Sequence, residues 1–113
     1  MTSKQKELEL FIDFIKEDKA ALKVWELLNK RVGKQLRPCY AAFETQTPKT
    51  VLIWNEDDYC ASVDVYQDET FEWFVFDRQT KESEGTKNEN RVKEPPEELI
   101  EFLKTWCMVE KSE

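Results

Sequence analysis

Apolar residues recur at helical spacing in two stretches before residue 33, and then alternate with polar residues at strand spacing. Leu8, Phe11, Ile12 and Ile15 form one stripe, widened by Leu10 and Phe14, so residues 4–17 read as an amphipathic helix. Ala21, Val24, Trp25, Leu28 and Val32 form a second stripe, widened by Leu22 and Leu27. Asp18 stands where it can cap this second helix, and Gly33 stands just past its end, where a left-handed C-cap favours glycine. One longer helix with a bend is the alternative reading, because nothing near Glu17 forces a break.

Pro38 ends any helical continuation and opens a strand region. Cys39–Thr45 alternates weakly, Thr50–Trp54 is a short β-branched and aromatic run, and Tyr59–Gln67 and Thr70–Arg78 carry the strongest strand signals. Gln46–Lys49, Asn55–Asp58 and Asp68–Glu69 are the natural turns. None holds a glycine, which only moderately favours a two-residue turn at Asp68–Glu69. Residues 79–94 have Val92 as their one strongly apolar side chain. Pro95 and Pro96 mark a helix start, Glu97 and Glu98 complement its dipole, and Leu99, Ile100, Leu103, Trp106 and Cys107 form its inner stripe.

The pattern predicts an α+β fold of order α-α-β-β-β-β-α in a single domain, 1–113. A helical part spans 1–37, an antiparallel meander of three to four strands 38–82, a mobile loop 83–94 and a C-terminal helix 95–109.

The segment DVYQDETFEWFVFD, residues 64–77, raises a difficulty, since a hairpin at this position carries large apolar side chains on both faces. With Asp68 and Glu69 as the turn, Tyr66 opposes Phe71, Val65 opposes Glu72, Asp64 opposes Trp73 and Val63 opposes Phe74. Directly opposed residues share a face. With Asn55–Asp58 as the preceding turn, Trp54 opposes Tyr59 and Leu52 opposes Ala61. Leu52, Trp54, Tyr59, Ala61, Val63, Val65, Phe74 and Phe76 then form a core face for the helices to cover. Val51, Ile53, Cys60, Ser62, Asp64, Tyr66, Phe71, Trp73 and Val75 form the other face. A face so apolar calls for a helix, a twin subunit or a partner as its cover.

Charge sharpens this picture. The 113 residues carry a net charge of −7. Residues 1–49 hold 10 basic and 7 acidic groups, residues 50–77 hold 8 acidic and no basic groups, and residues 78–113 hold 7 basic and 9 acidic groups. A concentrated negative field attracts cations or basic proteins and repels phosphate. Cys39, Cys60 and Cys107 are odd in number and far apart in sequence, which fits reduced thiols and a cytoplasmic setting. The early charges and Asp13 argue against a secretory leader, and no apolar run has the length of a membrane span.

The chain has no histidine and only two glycines, Gly33 and Gly85. This removes the commonest general base, every Ser-His or Cys-His nucleophile system, and glycine-rich phosphate loops. Glu56, Asp57 and Asp58, with Asp68 and Glu69, could hold a hard cation, but acidic turns at strand ends commonly serve solvation alone. No metal and no cofactor is therefore assigned. Asp64 opposite Trp73 could carry a raised pKa, whereas a half-exposed sheet position is the commoner role. Cys60 lacks a basic activator and reads as packing. Lys30, Arg31, Lys34 and Arg37 form a basic cluster, but cations complement a helix C-terminus, so direct nucleic-acid binding is not favoured.

The leading expectation is a non-enzymatic, small acidic protein-binding module, of the inhibitor, antitoxin, immunity or phage-regulator kind, acting on a basic partner. Its expected surface is Tyr66, Phe71 and Trp73 ringed by Asp64, Asp68, Glu69 and Glu72. The alternative is a homo-oligomeric structural or adaptor protein whose second sheet face pairs with itself. A carboxylate-based enzyme ranks last.

Overall fold

The computed structural model describes residues 3–86 and 91–108. Two helices, α1 (Ser3–Ile15) and α2 (Lys19–Val32), precede five strands: β1 (Tyr40–Glu44), β2 (Lys49–Asn55), β3 (Tyr59–Tyr66), β4 (Phe71–Asp77) and β5 (Glu82–Gly85). Helix α3 (Glu97–Trp106) follows. The strands form one antiparallel sheet in sequence order, so the α+β meander read from the pattern is the fold, with five strands instead of three or four.

The break between α1 and α2 is made by Asp18. Its Oδ1 accepts the N–H groups of Ala20 (3.0 Å) and Ala21 (3.2 Å), satisfying donors that a helix start leaves free. Gly33 closes α2 in the left-handed conformation at φ 85°. The α2 stripe packs inward: Trp25 meets Phe11 edge-on at 4.6 Å and stacks on Trp54 at 6.1 Å. The Trp54 Nε1–H donates to the Arg37 carbonyl at 2.8 Å, so the ring is buried with its polar atom satisfied.

The helices cover one face of the sheet. Thr50, Leu52, Trp54, Tyr59, Ala61, Val63, Val65, Phe71, Trp73 and Val75 are buried against them. Two expected registers are corrected. Trp54 opposes Ala61 and Leu52 opposes Val63, a shift of two residues, which leaves every side chain on its expected face. In the next hairpin Val65 opposes Phe71, Asp64 opposes Glu72, Val63 opposes Trp73 and Ser62 opposes Phe74, a shift of one, which inverts all of β4. The cause is the turn. Tyr66 N–H donates to the Thr70 carbonyl, and three residues, Gln67, Asp68 and Glu69, make the loop. Glu69 adopts the left-handed conformation at φ 71°, which a three-residue hairpin loop requires.

Phe71, Trp73 and Val75 therefore belong to the core face, and Phe74 and Phe76 to the opposite one. That second face, with Tyr40, Val51, Ile53, Cys60, Ser62, Asp64 and Tyr66, is partly open to solvent, Tyr40 and Phe74 being its exposed aromatic side chains.

The region expected as a mobile loop, 83–94, is also corrected. Its first part completes β5, where Gly85 opposes Phe74 and Glu84 opposes Val75. Farther on, Val92 exchanges backbone hydrogen bonds of 2.8 and 2.9 Å with Phe71. Residues 87–90 lie outside the described part. The C-terminal helix ends at Trp106, short of the expected 109, with the Cys107 N–H bonded to the Leu103 carbonyl.

Candidate functional site

The seven residues singled out from sequence do not form one surface. Phe71 is fully buried and Trp73 is 7% exposed, both in the core. Asp64, Tyr66 and Glu72 lie on the open face, and Asp68 and Glu69 lie in the turn.

Their carboxylates are also engaged within the chain. Lys49 Nζ donates to Asp64 at 2.9 Å in a largely buried pair, and that bond raises the Lys49 pKa. The Tyr66 hydroxyl donates to Glu72 at 2.6 Å, which raises the Tyr66 pKa. Arg91 and Lys49 sit 4.1 and 5.8 Å from the centre of the Tyr66 ring. Glu69 pairs with Lys23 at 3.2 Å. The Thr70 hydroxyl and N–H both donate to Asp68, holding its carboxyl below the usual range. The acidic-aromatic patch expected from sequence is thus bonded internally, Asp64 and Glu69 to lysines from other segments and Asp68 and Glu72 within the hairpin.

The basic cluster divides in a similar way. Arg31 pairs with Glu94 at 3.2 Å, and Arg37 donates to the Trp106 carbonyl at 3.0 Å beneath the Tyr59 ring. The thiols are no better placed for chemistry. Burial pushes Cys39 far above its ordinary pKa, with nearby Cys107 adding to the effect, and burial pushes Cys107 up to about 12.

A different site emerges where β4, β5 and α3 meet. A groove of about 460 Å³ lies there. Asp77 and Glu82 oppose each other across the β4–β5 hairpin, and Glu84 opposes Val75, so all three carboxylates face the helix side. From α3, Glu98 and Glu101 project into the same groove beside Phe102 and Trp106. Among the described residues no lysine or arginine lines it.

Asp77 is partly used, since its Oδ1 accepts the N–H groups of Gln79 and Thr80 in the turn. Glu101 meets Lys104 only at 3.8 Å. Phe102 and Trp106 are half-buried and lie 6.3 Å apart, and both pack on the buried Tyr59 ring, Trp106 stacked at 5.2 Å and Phe102 edge-on at 6.0 Å. The groove thus has a firm aromatic floor between two acidic walls. Among the described residues no three Cys, Asp or Glu side chains converge as a metal site. The carboxylates are spread along the groove, a layout suited to several separate cations.

This site carried a signal in the sequence. Glu82 and Glu84 alternate at strand spacing, while Glu98, Glu101 and Thr105 recur at helical spacing beside Phe102 and Trp106. Ending the last strand near Glu82 hid the first half of that pattern.

No protein-family model, curated protein or solved structure matches the chain.

Proposed function

We propose that this protein is a small acidic binding module that captures a basic, extended segment of another protein in the groove between α3 and the β4–β5 hairpin. One observation carries the reading: five carboxylates and two half-buried aromatic rings line one groove that, among the described residues, no cationic side chain lines. Aromatic anchors dominate interface energetics, and surrounding carboxylates speed the approach of a cationic partner. The class of function is the one expected from the acidic composition, moved to different residues. We read the protein as a binder and not an enzyme, on the absence of histidine from the sequence and the raised pKa values of the Cys39 and Cys107 thiols. We infer a cytoplasmic setting from the three free cysteines. Among the described residues no helix is long and apolar enough to cross a membrane.

The test is titration of the full chain with a synthetic Lys/Arg-rich peptide and with a Glu-rich control, followed by tryptophan fluorescence. The basic peptide should bind, and added salt should weaken it. Reversing Glu84 and Glu101 together to lysine should lower affinity at least about tenfold, since each lost pair turns into a repulsion. Equal binding of both peptides, or unchanged affinity after the reversal, would refute the reading.

A further inference from the structure

The two edges of the sheet are built differently. An edge strand presents unpaired backbone groups, and proteins commonly blunt such edges with charge, proline or a bulge. The β5 edge is short and carries Glu82 and Glu84. The β1 edge reads YAAFE, with Tyr40 68% and Phe43 47% exposed and one charge at its end. Helix α1 flanks it with Leu10 at 60% and Phe14 at 49% exposure. Among the described residues, four of the five large hydrophobic side chains most open to solvent thus lie along this one side, around two grooves that share Phe14.

We propose that the β1 edge pairs with the β1 edge of a second copy of this chain, giving a two-fold dimer with a continuous ten-stranded sheet. The strand complements itself in one register. Centred on Ala42, antiparallel pairing sets Tyr40 opposite Glu44 of the second copy, Ala41 opposite its Phe43, and Ala42 opposite its Ala42. Each large side chain meets a different residue, and no like charges meet. Faces match as well. Tyr40, Ala42 and Glu44 share the open face through their partners Ile53, Val51 and Lys49, while Ala41 and Phe43 share the helix face. Both helix layers then fall on the same side, and the two α1 helices flank the dyad, where Leu10 and Phe14 can be buried.

Charge favours a second copy as the occupant. The chain is strongly acidic, but this side carries Lys6, Lys16 and Lys19 against Glu7, Asp13, Glu17 and Glu44, a balance of −1 apart from Asp18, which is engaged in the α2 cap, with Lys16 and Asp13 paired at 3.0 Å. This side is close to neutral, so two copies approach without local repulsion, and it offers little to a strongly charged partner. An isologous contact of this kind closes as a dimer and leaves no free edge for further growth on that side.

Light scattering on the full chain tests this. The expected mass is twice the 13.5 kDa of one chain, falling towards one chain on dilution. Ala42→Lys and Ala42→Glu each place like charges opposite one another and should each be monomeric. An equimolar mixture of the two should regain the dimer, because lysine then faces glutamate. Phe43→Asp, at an exposed side chain, serves as a second variant if either Ala42 variant fails to fold, and it should also be monomeric. The proposal is overturned if the wild type stays at the mass of one chain up to about 100 μM, which would leave this edge to a different protein. It is equally overturned if the variants remain dimeric or if the folded mixture stays monomeric.

Discussion

Trp73 lies directly opposite Val63 across the β3–β4 hairpin, on the helix-covered face, while its neighbour Phe74 opposes Ser62 on the open one. Trp73 is 7% exposed and Phe74 is 45% exposed. Trp73→Ala should therefore cost about 3–5 kcal/mol of stability, as for other buried large aromatics. Phe74→Ala should cost less, about 1–2 kcal/mol, since nearly half of its area stays in water in the folded state. Urea unfolding of the two variants checks this. Comparable losses at both positions would mean that Trp73 and Phe74 do not face opposite sides of the sheet in this register.

The same pair shows what the sequence could reveal. Helix α2 was legible because its stripe, its Asp18 cap and its Gly33 stop agree with one another. The β2–β3 pairing survived an error in turn length, since a two-residue shift preserves the faces. The β3–β4 pairing did not survive, because the segment is apolar on both faces and periodicity alone could not choose between them. The deciding feature is Glu69 in a left-handed conformation, and glutamate gives no signal of that. The internal pairing of Asp64, Glu69 and Glu72 depends on Lys49, Lys23 and Tyr66, so charge counted along the chain overstated the field of that segment.

Gly85 makes the close approach of β5 to β4 possible. A Cβ built there would stand 2.5 Å from the Trp73 carbonyl oxygen and 3.1 Å from the Phe74 Cα, and both are backbone atoms of the neighbouring strand. The adjacent Thr86 exchanges hydrogen bonds with Trp73, from its N–H at 2.9 Å and to its hydroxyl at 3.0 Å. Gly85→Ala should push β5 outward and cost about 1–3 kcal/mol, the range for overpacking. Hydrogen exchange should show faster exchange at Thr86 and across β5, with α2 unaffected at a local level. Unchanged protection of β5 would contradict the close approach.

Asp18 joins two parts of the fold that are distant in sequence. Its Oδ1 caps α2, and its Oδ2 accepts the hydroxyl of Thr50, which is 2% exposed. Asp18→Ala removes the cap, at about 1 kcal/mol, and strands a buried hydroxyl, at about 1–3 kcal/mol more. The double variant Asp18→Ala with Thr50→Val should recover much of the second loss, because no hydroxyl is left without a partner. Thermal melts of the single and double variants give the comparison. If Thr50→Val restores nothing, the hydroxyl is not what Asp18 satisfies.

High pH should weaken the fold through Tyr66 and Lys49. Both have folded pKa values raised above their ordinary ones, Tyr66 chiefly by donating to Glu72 and Lys49 chiefly by donating to Asp64. A raised folded pKa means that the protonated form is stabilised by folding. The contribution is complete below the ordinary tyrosine and lysine range, near about 10, and is lost as pH rises through the raised folded values. Stability in urea should therefore be level from neutral pH to the approach of that range and fall beyond it. Glu72→Gln removes the acceptor charge, so Tyr66 should ionise closer to its ordinary pH, and the part of the alkaline fall that Tyr66 causes should shrink. Tyrosinate absorbance, taken as the difference between the chain and Tyr66→Phe, reads the ionisation directly. If Glu72→Gln leaves that titration where it was, the hydrogen bond does not control Tyr66.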